Sequence, residues 1–357
     1  MTVVAPIAPR DDLALRAGYH SPQVDVEVRL NTNESPYGPP EGFAAALAEE
    51  LATIHWNRYP DRAALALRTD IGALHGVGPE QVFAANGSNE VLQTLLLTYG
   101  GPGRSAAVFE PTYALHSHLA RITGTGVVTG ERAADFSLHL ADLRALVDRH
   151  DPEVVFLCSP NNPTGRTESR DVVEAMAADT SRLTVVDEAY GQFADRSALD
   201  LIADDRPFVV TRTFSKTWAM AGARLGYLVG PAWLVAELGK VVLPYHLDAA
   251  KQLAGRVALR FGDEMAARVA TLREERGRLV ARLDELDVDV VPSDANFVLF
   301  RPRRVDAEEV WRRLVEASVL VRNCASWPRL EGCLRVTVGT SSEDDRFLDA
   351  LEEILTS

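Results

Sequence analysis

Six short apolar runs recur along the middle of the chain: VFAAN (82–86), SAAVFE (105–110), VVFLCS (154–159), LTVVD (183–187), FVVTRT (208–213) and LGYLV (225–229). Within each run the apolar residues are nearly continuous and do not alternate with polar ones. A strand of that kind is buried on both faces. A parallel sheet covered by helices achieves this, whereas an antiparallel sheet with one wet face does not. Ala- and Leu-rich segments accompany the runs, at 43–54, 88–99 and 171–178, and would supply the covering helices. The expectation is a mainly parallel α/β sheet with right-handed crossovers.

The pattern changes near residue 244. A stretch rich in Ala, Arg and Glu at helical spacing covers 248–285. Strand-like runs then follow at NFVLF (296–300), VLVRN (319–323) and CLRVTV (333–338), around a helix near 306–317. This predicts a second, smaller α+β domain. A chain of 357 residues has the length for two domains, at roughly 100–200 residues each. We expect a large domain at 43–244 and a small one at 245–357. The Pro-rich segment 1–42 is expected to be extended and to pack on the small domain or on a partner subunit.

Charge and cysteine usage narrow the function. A formal net charge of -14 argues against a face for nucleic acid or an anionic membrane. No apolar run approaches the ~20 residues of a membrane span, and MTVVAPIAPRDD (1–12) lacks the apolar core of a signal peptide. Cys158, Cys324 and Cys333 are odd in number and form no C-x-x-C. That argues against a disulfide framework or a zinc knuckle and fits a reducing cytoplasm. His116 and His118 stand two apart, where helical side chains face different ways, so no metal pair is expected.

Four segments at run ends could carry chemistry. NGSNE (86–90) opens a helix-like stretch; free N–H groups at a helix N-terminus suit a phosphate, and the same residues suit a plain N-cap. SPNNPTG (159–165) is a turn whose asparagines can donate into the crevice at the strand's carboxyl end, or simply an Asx-Pro turn. Asp187, in VVDEAY (185–190), ends a buried run, and a carboxylate there needs a cation or donors, whether structural or supplied by a ligand. Lys216 lies in SKTWAMAGAR (215–224) with Arg224 close by. A desolvated lysine beside another cation has a depressed pKa and becomes a nucleophilic amine; a solvated one does not. Ser215 and Arg224 together could hold a phosphate.

In this order and spacing the four segments resemble the fold-type-I pyridoxal-phosphate aminotransferases, over roughly residues 19–340. RLNTNESPYGPP (29–40), NRYPD (57–61), EPTYALH (110–116), LPYHL (243–247), PSDANFVLF (292–300) and CLRVTVGT (333–340) are similar to the histidinol-phosphate branch of that family. AGYHSPQ (17–23) departs from the branch, and Trp218 stands where a smaller aromatic is common.

The resemblance implies a set of roles. Lys216 would bond the pyridoxal 5'-phosphate cofactor and shuttle the proton from the substrate carbon. Asp187 would pair with the ring nitrogen, Asn162 and Tyr190 with the ring oxygen, and Tyr113 would stack on the ring. Gly87, Ser88, Asn89, Ser215 and Arg224 would hold the phosphate. Tyr59 would reach it from a partner subunit, which implies a homodimer with composite sites.

On the substrate side the resemblance implies Tyr19, Asn33, Arg322 and Arg335. The implied reaction is transamination between L-histidinol phosphate and 2-oxoglutarate, giving imidazole acetol phosphate and glutamate for histidine biosynthesis, with no metal. Three other functions stay open at this point: an aromatic amino acid aminotransferase, a pyridoxal-phosphate-dependent decarboxylase of a phospho-amino acid, and a pyridoxal-phosphate-binding regulator without catalysis.

Overall fold

The computed structural model describes residues 24–357. The first strand, β1 (Val28–Leu30), joins the smaller of two sheets. The larger sheet contains β2 (Val82–Ala85), β3 (Ser105–Glu110), β4 (Gly126–Glu131), β5 (Val154–Cys158), β6 (Leu183–Asp187), β7 (Phe208–Thr213) and β8 (Gly226–Val229). Their order is β2-β8-β7-β6-β5-β3-β4. From β4 to β7 every neighbouring pair is parallel; only β8 runs antiparallel, to both β7 and β2.

The six apolar runs are therefore six of these strands. Strand β4 escapes the apolar signal. It is an edge strand, carries Gly126 and Gly130, and has half its residues open to solvent. The chain leaves β3 toward β4 and returns to β5 on the other side of β3. That reversal of direction opens a crevice at the strands' carboxyl ends, where open α/β sheets bind ligands.

The smaller sheet has the order β1-β11-β12-β10-β9, with β9 (Val288–Val291), β10 (Phe297–Pro302), β11 (Val319–Asn323) and β12 (Leu334–Thr337). Leu272, Leu279, Leu283, Phe297, Phe300 and Phe347 are core residues of this layer. Strand β1 pairs parallel with β11, so Val28–Leu30 are tied to this layer.

The helical stretch 248–285 is two helices, Ala249–Leu259 and Gly262–Asp284. The break sets the Phe261 ring edge-on to Phe43 at 6.3 Å. Asp263 and Glu264 then occupy the first turn of the new helix, where carboxylates favour the positive end of the dipole. Val257 and Ala258 pack with Leu67, Ile71 and Tyr227 of the larger layer. Along the second helix Met265 packs in that cluster and Leu272 and Leu279 in the other. The change of layer thus falls within the helix Gly262–Asp284, beyond the change of composition at 244.

Candidate active site

A cavity of about 210 Å³ opens at the carboxyl ends of β3, β5, β6 and β7. It is lined by Asn33, Ser88, Asn89, Tyr113, Asn162, Asp187, Tyr190, Ser215, Lys216, Arg224, Arg322 and Arg335. Gly87 is not among the lining residues. Tyr59 does not enter the cavity of its own chain; it is exposed and stacks on Tyr245 with centroids 4.5 Å apart. Tyr19 lies outside the described residues.

Lys216 follows β7, and its Nζ donates to the Thr32 carbonyl at 2.9 Å and stands 5.6 Å from the Tyr190 ring centre. Its pKa is pulled down from 10.5 to about 7, first by burial, then by the charge of Arg335 and of Arg224, with Glu34 opposing. In the window from about 7 up to 10.5 the unfolded chain holds one proton more than the folded one. Stability of the cofactor-free protein therefore rises with pH across that window.

In the same window the folded amine is neutral and nucleophilic, while an ordinary lysine stays protonated. The chain has two other lysines, Lys240 and Lys251, which peptide mapping separates from Lys216. We expect acylation of Lys216 in the cofactor-free protein, followed by peptide mapping, to titrate with its midpoint near 7. A midpoint near the ordinary lysine value of about 10.4 would remove the argument.

Asp187 ends β6, fully buried. Its Oδ2 lies 2.9 Å from His116 Nε2, and its Oδ1 accepts from the Ala189 N–H at 3.1 Å and from Thr211 Oγ1 at 3.4 Å. His116 is stacked on Phe156 at 4.7 Å. Because a carboxylate only accepts, Nε2 carries the imidazole proton. This histidine was passed over in the sequence as half of an unpromising pair. The available signal was its spacing from Tyr113: three residues, hence one face of the helix Ala114–Ile122. Asn31 and Thr32, brought in beyond the end of β1, also line the cavity; they lie in RLNTNESPYGPP (29–40), the segment that points to Asn33.

One part of the cavity is a nest of donors. Gly87, with φ +78°, opens the helix Gly87–Tyr99. A Cβ there would stand 3.0 Å from Arg224 Nη2, and a Cβ on Gly226 would stand 2.2 Å from the Ser88 nitrogen. Gly87 needs glycine for its left-handed φ, and Gly226 because β8 and the helix N-terminus approach so closely. Arg224 Nη1 donates to Ser215 Oγ at 3.2 Å. Backbone N–H groups, a hydroxyl and a guanidinium thus converge, a donor set suited to a phosphate dianion.

A second cationic part comes from the smaller sheet. Arg322 on β11 and Arg335 on β12 are directly paired in register, and both are buried. Arg335 Nη2 donates to the Asn31 carbonyl at 2.9 Å, and Nη1 to Asn162 Oδ1. Its Nε is buried with no partner among the described residues. Asn33 Nδ2 donates to Tyr190 Oη at 2.9 Å. Trp218, the unusual aromatic, is buried against Phe214 and lies outside the cavity lining.

The chain matches the aminotransferase class I and II family over residues 25–351. It belongs to that family. Among relatives of this aminotransferase, it is 47% identical to histidinol-phosphate aminotransferase of Frankia casuarinae, over 97% of this chain and 90% of that one. It is 46% identical to histidinol-phosphate aminotransferase of Streptomyces avermitilis, over 97% and 96%. Its fold is similar to that of histidinol-phosphate aminotransferase from Sinorhizobium meliloti in complex with pyridoxal-5'-phosphate, with a TM-score of 0.84, 24% identity, and coverage of 93% and 91%. The two-sheet architecture is therefore the fold-type-I arrangement. Among the described residues no helix is long and apolar enough to cross a membrane, and no cluster of His, Cys, Asp and Glu is placed to hold a metal ion.

Proposed function

We propose that this aminotransferase moves the amino group of L-histidinol phosphate to 2-oxoglutarate, giving imidazole acetol phosphate and L-glutamate, in the cytoplasm and with pyridoxal 5'-phosphate as cofactor. The observation that supports this reading is that two groups of cationic residues line one cavity together with a single lysine. Ser215 and Arg224 belong to one and Arg322 and Arg335 to the other, and the Lys216 amine is depressed by a cation from each. The first cluster suits a cofactor phosphate and the second the anionic end of a substrate. Relatives named for this reaction, at 46% and 47% identity over nearly the whole chain, support the choice of substrate.

The chain's own groups divide the work. Gly87, Ser88, Asn89, Ser215 and Arg224 would anchor the cofactor phosphate. Asp187, backed by His116, would present its carboxylate to the ring N–H, with Tyr113 on the ring face and Asn162 and Tyr190 at the ring oxygen. Bound there, the cofactor supplies an aldehyde carbon for amine exchange and an electron-withdrawing ring. Lys216 Nζ, neutral above about pH 7, would take the proton from the amine-bearing carbon of the substrate and deliver one in the return half-reaction. Arg322, Arg335 and Asn33, together with Tyr19, would hold the substrate, so that this carbon faces the lysine.

We further propose a homodimer in which Tyr59 serves the partner's cofactor phosphate. Trp56, Tyr59 and Leu243 are each more than 70% exposed. An apolar group of this kind, with Tyr245 stacked on Tyr59, suits burial against a second copy.

The test is a single half-reaction. Holoenzyme is mixed separately with histidinol phosphate, phenylalanine, tyrosine and threonine phosphate, without keto acid, and the cofactor absorbance is followed. Rapid conversion to the amine form with histidinol phosphate alone is expected. Equal or faster conversion with phenylalanine or tyrosine would make it an aromatic aminotransferase. Carbon dioxide release from threonine phosphate would make it a decarboxylase.

A further inference from the structure

The two arginines of the smaller sheet share an aromatic neighbour that is not among the residues lining the cavity. Trp327 lies in the connection between β11 and β12. Its ring centre stands 5.7 Å from the Arg322 guanidinium carbon and 5.9 Å from that of Arg335. The connection is a built turn. The Trp327 N–H donates to the Cys324 carbonyl at 2.9 Å, the Leu330 N–H donates to the Trp327 carbonyl at 3.2 Å, and Cys324 closes back onto the Cys333 carbonyl at 3.0 Å. The indole itself packs on the apolar cluster that contains Phe136 and Leu299. Arg329, two residues on, donates to the carbonyls of Arg132 and Ala133, just beyond β4. Trp327 is therefore seated on both layers of the molecule at once.

Two like charges side by side repel, and bringing them together in a buried place costs free energy. A π face near both offsets part of that cost without using any N–H. It attracts each cation electrostatically, most strongly where water is excluded. A guanidinium beside an aromatic ring keeps its N–H groups on its planar edges for hydrogen bonds, and Arg335 also has the Phe297 ring, 5.1 Å from its guanidinium carbon. One such edge group, Arg335 Nε, is buried and has no partner among the described residues.

We propose that Trp327 is a specificity-determining positioning residue. By holding Arg322 and Arg335 together with their N–H edges toward the cavity, it favours a substrate that ends in a phosphate dianion over the same substrate without it. The proposal rests on the assignment of these arginines to the substrate's anionic end.

The experiment compares wild-type holoenzyme with W327A, W327L and W327F, using histidinol phosphate and unphosphorylated histidinol as amine donors. Inorganic phosphate serves as a competitive inhibitor against whichever donor the wild type uses better. Leucine fills the apolar seat without a π face, and phenylalanine restores one. For W327A and W327L we expect KM for histidinol phosphate and Ki for inorganic phosphate to rise together by roughly tenfold. We expect kcat within about twofold, kcat/KM for histidinol unchanged, and most of the loss recovered in W327F. Equal losses with both donors, an unchanged phosphate Ki, or leucine as good as phenylalanine would overturn the proposal. Failure of the substrate assignment shows separately, as a wild type that does not prefer histidinol phosphate to histidinol. The phosphate Ki then still tests the role of Trp327.

Discussion

Turnover is expected to fall by at least about 10⁴-fold when Lys216 is replaced by alanine. A positioned proton-transfer group alone contributes roughly 10²–10⁴-fold, and in our proposal the same nitrogen is also the amine that holds the cofactor. The fold should survive. Among the described residues the Lys216 amine makes one hydrogen bond, to the Thr32 carbonyl, and its depressed pKa means that burial already disfavours its charged form. Below about pH 7 the alanine variant, lacking that buried charge, should be at least as stable as the cofactor-free parent. Thermal unfolding and circular dichroism check the fold. Borohydride reduction followed by peptide mapping checks the chemistry: with only three lysines in the chain, a cofactor tag on Lys216 in the parent and none in the variant leaves no ambiguity. Retained turnover, or a tag on Lys240 or Lys251 in the parent, would sink the assignment.

How much of this was legible follows from what each signal depends on. The buried strands were plain because burial on both faces forces a continuous apolar run. Strand β4 was not, since an edge strand with two glycines and solvent on half its residues has no such run. The part of the cavity that we assign to the cofactor was legible as a cluster of lining residues because those residues sit at strand ends and helix starts, positions fixed by local sequence. Asp187 at the last residue of β6 and Ser88 at the first turn of a helix are of that kind.

What crosses between elements was not legible. The contact of His116 with Asp187 spans 71 positions, and that of Arg335 with Asn162 spans 173. Each depends on how a helix is turned or how two sheets abut, which no local pattern encodes. Trp327 is the extreme case: its importance lies in two guanidinium groups on different strands, and its own neighbours in sequence announce only a turn. The 248–285 stretch failed differently. Its helical periodicity was correctly read, but periodicity does not register the stop at Phe261, which packing against Phe43 imposes.

Asp187→Asn carries the second large effect. The amide is nearly isosteric, so the packing around β6 should hold: its oxygen can still accept from Ala189 and Thr211, and its NH2 then faces His116 Nε2, which must move its proton to Nδ1 in order to accept. What it lacks is the negative charge. Asp187 is the carboxylate that ends β6 at the cavity, and His116 behind it fixes the orientation of one oxygen. A ring N–H facing an amide in place of a carboxylate has lost a buried charge partner, and breaking a buried pair in this way costs about 3–5 kcal/mol. Expressed in kcat, that is roughly 10²–10⁴-fold. KM for histidinol phosphate should move much less, because Arg322 and Arg335, which we assign to its phosphate, are untouched. A kcat loss with KM nearly constant is therefore expected from steady-state kinetics, together with an altered pH dependence of the bound cofactor's absorbance. A variant that instead lost affinity for the amine donor at unchanged kcat would place Asp187 on the substrate side and contradict the role given to it.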